Sequence, residues 1–355
     1  MTTATTTMPR DNLLDGFRGV AACGVVFSHA LAYRFVNLGI PGLHTIGRFA
    51  DPVSEVSVQI FFVISGYIIT TLLLKEEGRD GRPNLAAFYA RRICRILPPF
   101  LVLVAIVWLL DRAGLVRLSA MSALQAVTFT CNTSLPDCDW WVAHSWSLAV
   151  EEQFYLVWPL LFILTPPQWR AGLLVVIVGV LLGVFIARPP TFHANALSFA
   201  CIATGAFLAT NGRAMARLEK ASHPIGWAIV VVLLIVGPFT GIARIVATTT
   251  PFLIAYLVFA ARRIPIVHRA LTSRPVLIMG AGSYSLYLWQ QVFFARQDLY
   301  LQAQFSLVLL PVAVVASVLL VEKPFIKVGQ RWSRALKRRD VRSTAEAERV
   351  VGPGL

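Results

Sequence analysis

Apolar residues in this chain run in long blocks, and polar residues gather between them. Ten blocks read as membrane spans: 16–35, 53–74, 97–110, 146–164, 171–187, 194–210, 225–240, 242–261, 276–295 and 305–321. An apolar helix of about 20 residues crosses the hydrocarbon core of a bilayer. The pattern therefore predicts an all-α fold, a polytopic integral membrane helical bundle of about ten transmembrane helices. The third block is short and opens on Pro98-Pro99, so residues 89–96 read as a tilted or interfacial lead-in or a loop.

The first block carries an imidazole, His29, in its middle and a cation, Arg18, at its entrance. Eleven residues close almost whole turns, so the two share one helix face, roughly 16 Å apart along the axis. Ionisable groups at membrane depth are costly and are kept mainly where they face a polar cavity or do chemistry. The competing reading is a basic anchor plus a histidine hydrogen-bonded inside the bundle.

Composition agrees with the block pattern. Of 355 residues, 57% are hydrophobic and 14% charged, with mean hydropathy +0.68, which excludes an ordinary soluble domain. Basic residues gather where short loops would be cytoplasmic: with the N-terminus inside, 25 of the 32 Lys and Arg fall on the inner side and 7 outside. This predicts two cytoplasmic termini. It also accounts for the net charge of +14 through anionic lipid, with no nucleic acid required. The polar first ten residues give no sign of a cleavable leader. The chain divides into a cytoplasmic tail 1–12, a membrane domain 13–326 and a basic cytoplasmic tail 327–355 that reads as disordered. No internal repeat is visible.

Five cysteines are too few for a disulfide framework. Cys23, Cys94 and Cys201 lie in or beside apolar blocks as small apolar residues. Cys131 and Cys138 share the longest outward loop, 111–145, where a disulfide fits an oxidising compartment.

Several segments carry hydrogen-bonding or charged groups beside the spans. Arg91, Arg92 and Arg95 precede Pro98-Pro99, and Arg91 and Arg95 stand one helical turn apart. Their guanidinium forks suit phosphates such as those of coenzyme A, although positive-inside anchoring gives the same pattern. Glu151 and Glu152 open the fourth block, pointing about 100° apart, so they cannot face the same partner. One of them is expected to face the interior, where it could orient an imidazole or take a proton; interfacial charge is the alternative. Ser147, Glu151 and Tyr155 form a polar stripe. Ser65-Gly66 reads as a packing notch, and the polar run 280–291 as helix–helix glue. His44, His193, His223 and His268 make no metal-ligand spacing, and no metal site is expected.

Six segments fall in an order that resembles the membrane-bound acyltransferase family 3, a group of bacterial O-acyltransferases acting on O-antigen, exopolysaccharide, Nod factor or macrolide. They are Leu14-Asp-Gly-Phe-Arg-Gly-Val-Ala-Ala with His29 beyond it, Ile60-Phe-Phe-Val-Ile-Ser-Gly-Tyr, Arg91-Arg-Ile-Cys-Arg-Ile-Leu-Pro-Pro, Trp146-Ser-Leu-Ala-Val-Glu-Glu-Gln-Phe-Tyr, Ser283-Tyr-Ser-Leu-Tyr-Leu-Trp and Val321-Glu-Lys-Pro-Phe. The resemblance implies transfer of an acyl group, commonly acetyl from cytoplasmic acetyl-CoA, to a hydroxyl of a glycan or other acceptor at the bacterial inner membrane. No permanently bound cofactor is implied.

By the same resemblance His29, Glu151 and Glu152 are the catalytic candidates. Arg18, Arg91, Arg92 and Arg95 are the donor-binding ones. His29 would act as general base or as acyl carrier. Two positions depart from the family: Gln59 stands where many members have an aspartate, and Gln290-Gln291 where many have a histidine. Neither is assigned an acid, base or metal role. The chain is also expected to lack the extra C-terminal esterase-like domain of some members. The competing class is a proton-coupled transporter or flippase, against which the missing repeats and the one-sided arginines count.

Overall fold

A computed structural model of the chain describes residues 11–32, 46–133, 138–187, 193–294 and 303–351, all helix, turn or irregular, with no strand among them. The helices in chain order are α1 (Asn12–Ala30), α2 (Ala50–Asp80), α3 (Leu85–Arg112), α4 (Ala120–Val127), α5 (Trp140–Ala143), α6 (Ser145–Leu164), α7 (Pro167–Ala187) and α8 (His193–Thr210). Then follow α9 (Gly212–Lys220), α10 (Pro224–Val236), α11 (Ala243–Ala260), α12 (Pro265–Leu271), α13 (Arg274–Ala281), α14 (Ser283–Phe293), α15 (Ala303–Ala316) and α16 (Lys323–Val351).

Among the described residues, six helical stretches are long and apolar enough to cross a bilayer: Ala50–Asp80, Leu85–Arg112, Trp140–Leu164, Pro167–Ala187, Ala243–Arg263 and Phe305–Asp340. A seventh arises if α9 and the Pro224–Phe239 segment, bent by 102°, count as one span. The expected ten are not confirmed among the described residues. The expected sixth span is a shorter apolar helix, Asn195–Thr210. The expected ninth is interrupted at Gly282, whose N–H closes α13 onto the Ile278 and Met279 carbonyls. The first is the 19-residue α1, which ends at Ala30, while residues 33–35 of that block lie outside the described residues. His29 stands in the last turn of α1, and the helical backbone continues as a π turn through Ala32.

Two further expectations change. Pro98 and Pro99 lie inside α3 and do not begin it, so Arg91, Arg92 and Arg95 are helical. Proline is tolerated inside membrane helices where neighbouring groups satisfy the freed carbonyls. Residues 327–351, which composition reads as a disordered tail, are helical. The inward positions explain why: Glu322, Ile326, Gly329, Ser333, Leu336, Lys337 and Asp340 recur at three- and four-residue steps and are at least partly buried.

The chain divides into two compact units, Met1–Ile68 with Ala171–Tyr287, and Ile69–Arg170 with Leu288–Leu355. Within the first, helices approach at backbone distance. A Cβ added to Gly16 would meet the Leu271 carbonyl, and one on Gly280 the Asp15 carbonyl, so α1 lies directly on α12 and α13. Gly66 and Gly205 form a reciprocal notch in which each faces a carbonyl of the other helix, Ile202 or Val63. Asp11 caps α1, accepting from the Leu13 and Leu14 N–H groups at 3.2 and 3.3 Å, and also pairs with Arg262 at 2.7 Å.

Within the second unit α16 is fastened to α3 and to the end of α2. Arg91 donates to Glu76 at 2.6 Å and to Ser333 at 2.5 Å. Lys337 joins Glu76 at 2.9 Å and Asp80 at 3.3 Å. Arg170 makes a two-pronged pair with Glu77, at 2.6 and 2.7 Å, while lying 3.7 Å over the Phe162 ring.

Candidate active site

In the first unit the site elements come from α1. The Gly16, Gly19 and Cys23 edge is spent on α12 and α13: a Cβ on Gly19 would come within 2.7 Å of Gly280 N, and the Cys23 thiol lies 3.2 Å from the Met279 sulfur. Arg18 and His29 point about 100° away from Gly19, on a common face. Both are half-buried. The Nε of Arg18 is buried with no hydrogen-bond partner among the described residues. A buried guanidinium donor left open in this way is ready to donate to an anion or a carbonyl oxygen of a ligand. On α2 of the same unit, Gln59 is 3% exposed and its Oε1 also lacks a partner.

In the second unit a cleft of about 380 Å³ opens between α3, α6 and the turn after α4, lined by Tyr89, Arg92, Phe129, Glu152, Gln153 and Tyr155 among others. Arg92 and Glu152, a cation and a carboxylate from the two expected motifs, therefore share one cavity. The guanidinium of Arg92 sits 5.5 Å from the Tyr155 ring centre and 5.8 Å from that of Phe88, a rigid aromatic seat. Glu152 Oε1 is buried without a hydrogen-bond partner. Its neighbour Glu151 takes the Tyr155 hydroxyl at 3.0 Å. The two carboxylates do point to different partners, and Glu152 is the one that lines the cavity.

The arginine cluster separates by face. Arg91 is committed to Glu76 and Ser333, Arg92 lines the cleft, and Arg95 is exposed. Of the two expected to converge on one polyanion, Arg91 is thus already engaged by an acid, while Arg95 is exposed one turn on.

Several site residues were not legible in sequence. Phe129 has φ 54°, a left-handed backbone rare outside glycine. Its carbonyl accepts from Gln153 Nε2 at 3.0 Å, and its ring stacks on Phe100 at 5.5 Å. Gln153 also exchanges two amide hydrogen bonds with Asn132, at 2.9 and 3.0 Å. Beside Asn132, Cys131 is disulfide-bonded to Cys138. The cleft wall from Thr128 to Thr130 is thus followed at once by a covalent bond at Cys131 and an amide clamp at Asn132. His144, 4% exposed, precedes α6 and donates its backbone N–H to the Gln291 side chain at 3.1 Å. Gln291 occupies one of the departures from the family pattern and here serves as an anchor for the α5–α6 junction. Among the described residues no three His, Cys, Asp or Glu side chains are grouped to hold a metal ion.

A family model described as an acyltransferase domain matches residues 11–322. The O-acetyltransferase OatA of Staphylococcus aureus strain NCTC 8325 / PS 47 is 27% identical over 356 aligned positions, covering 87% of this chain and 55% of that protein. A provisionally named O-acetyltransferase of S. aureus strain COL is 32% identical over 170 positions, 42% of this chain and 24% of the relative. The chain thus spans about half the length of the OatA relatives it matches. No solved structure matches it.

Proposed function

The chain belongs to the acyltransferase family whose domain model covers residues 11–322, and from that membership we propose that it is a membrane O-acetyltransferase moving acetyl from acetyl-CoA to a hydroxyl of a glycan or similar acceptor. The placement of Arg18 and His29 on one face of α1, with a buried guanidinium donor unsatisfied, is the observation that carries the reading. The names of the OatA relatives support acetyl as the group and oxygen as the acceptor atom.

In this reading His29 removes the proton from the acceptor hydroxyl as its oxygen attacks the thioester carbonyl. The C–O bond forms, the C–S bond breaks, and the imidazolium returns its proton to the departing CoA thiolate. Arg18, eleven residues from His29 on the same helix, binds donor phosphate through its open Nε–H. Within its own unit, Arg92 beside Glu152 is a further candidate cation for a donor phosphate. The protein works at the bacterial inner membrane with both termini in the cytoplasm, where acetyl-CoA is available.

The test is acetyl transfer by the purified full chain in proteoliposomes supplied with labelled acetyl-CoA and a cell-envelope glycan fraction. Base-labile label on glycan is the expected product. No labelled product with any acceptor, combined with solute movement down an imposed pH gradient, would overturn the enzyme reading in favour of a carrier.

A further inference from the structure

Away from both candidate site elements, the first unit holds an apolar groove of about 310 Å³ between α7, α8 and α11, with α9 at one end. Leu174, Val178 and Leu208 form its buried floor, and Phe252 and Gly179 its open side. The one hydroxyl on the wall, Thr204, is spent within its own helix on the Ala200 carbonyl at 2.8 Å. Such a lining offers a hydrocarbon chain contact and offers a polar ligand nothing.

What stands at the end of the groove fixes the kind of chain. α9 turns 102° away from the following helix and is amphipathic. Ala214, Met215, Leu218 and Glu219 are turned partly inward, whereas Arg213, Arg217 and Lys220 are exposed at i, i+4 and i+7. Leu218 from its inner face closes the groove. Glu219 fastens the helix, at 3.5 Å from Arg262, so the acid is turned from the exposed stripe. Three cations on one face of a short helix at the end of a hydrocarbon slot are complementary to an anionic headgroup on an acyl tail.

We propose that the groove between α7, α8 and α11 and the Arg213–Arg217–Lys220 face of α9 form a binding site for one anionic phospholipid, its acyl chain in the groove and its phosphate on the basic face.

The experiment uses the full chain, purified in detergent and delipidated, titrated with phosphatidylglycerol and with phosphatidylcholine of the same chains by native mass spectrometry. Phosphatidylglycerol should bind about tenfold more tightly or better, given the field of three cations at the headgroup. Replacing Arg213, Arg217 and Lys220 together by Gln should erase that preference while leaving phosphatidylcholine binding unchanged; all three are exposed, so the fold is not at risk. Gly179→Trp should reduce retention of both lipids, because a Cβ there meets no atom within 4 Å and the ring projects into free space. A phosphatidylglycerol with a photoreactive acyl chain should crosslink to peptides containing Val178 or Leu208. Two further arms separate the parts of the ligand: glycerol phosphate and decanoate alone should each compete weakly. Equal affinity for the two lipids, a preference that survives the triple substitution, full retention by the Gly179 variant, or crosslinks spread over all exposed helices would each overturn the proposal. None of these outcomes depends on acetyl transfer.

Discussion

Arg91 and Arg92 are adjacent in the chain and meet different partners, because one step along a helix turns a side chain by about 100°. Arg91 lies in a partly buried ion pair with Glu76, and Arg92 on aromatic rings beside Glu152 in the cleft. The expected effects of substitution therefore split. Arg91→Ala leaves Glu76 paired with Lys337 and should cost about 1–3 kcal/mol of stability, between exposed and fully buried pairs, with a modest effect on turnover. Arg92→Ala should lower the rate of CoA release about tenfold or more with little loss of thermal stability, and Arg92→Lys should recover part of it, since an ammonium lacks the planar fork. Thermal unfolding and CoA release measured on the same preparations separate the two; an Arg92 variant with wild-type turnover would remove it from the site. The sequence displayed all these residue types but not their faces. Arg91 is taken by an acid fifteen positions away and a serine more than two hundred positions away, and no local pattern announces either. Phe129 gave still less warning, since nothing in a phenylalanine marks a left-handed backbone.

At the scale of elements, the apolar blocks predicted helices well wherever the block was long and uninterrupted, as in α2, α6, α7 and α11. Composition alone showed less: the 327–340 segment is strongly basic, yet its three- and four-residue stripe and its acidic partners on α2 pack it as a helix. Small-residue contacts were legible in part, with Ser65-Gly66 standing out as a notch. Gly66→Ala would set a methyl against the Ile202 carbonyl and should destabilise by about 1–3 kcal/mol or more. Gly179→Ala, where no atom lies within 4 Å, should cause no loss and serves as the control. Thermal midpoints in detergent decide between them, and equal midpoints would contradict the close helix approach. The Cys131–Cys138 disulfide closes a short loop, so Cys131→Ser should cost about 2–3 kcal/mol at most. Because the loop beside it carries one wall of the cleft that holds Arg92, the same variant should raise the KM for acetyl-CoA. An unchanged KM for acetyl-CoA would separate the loop from donor binding.

For the whole molecule, the apolar pattern and the ordered motifs gave fold class and family together, because a membrane protein must satisfy its backbone within each span and so writes its architecture into hydropathy. The number of spans was less legible, since short, bent and broken helices have the same composition as complete ones. In the proposed reaction His29 is chemical rather than structural. The measurement that decides this is CoA release from acetyl-CoA, in the presence of acceptor, by wild-type protein and by His29→Ala and His29→Gln variants of equal thermal stability. Acceptor-dependent release is expected from the wild type and its loss, by about a hundredfold or more, in both variants, in line with removal of a general base. Wild-type release from either folded variant would contradict it.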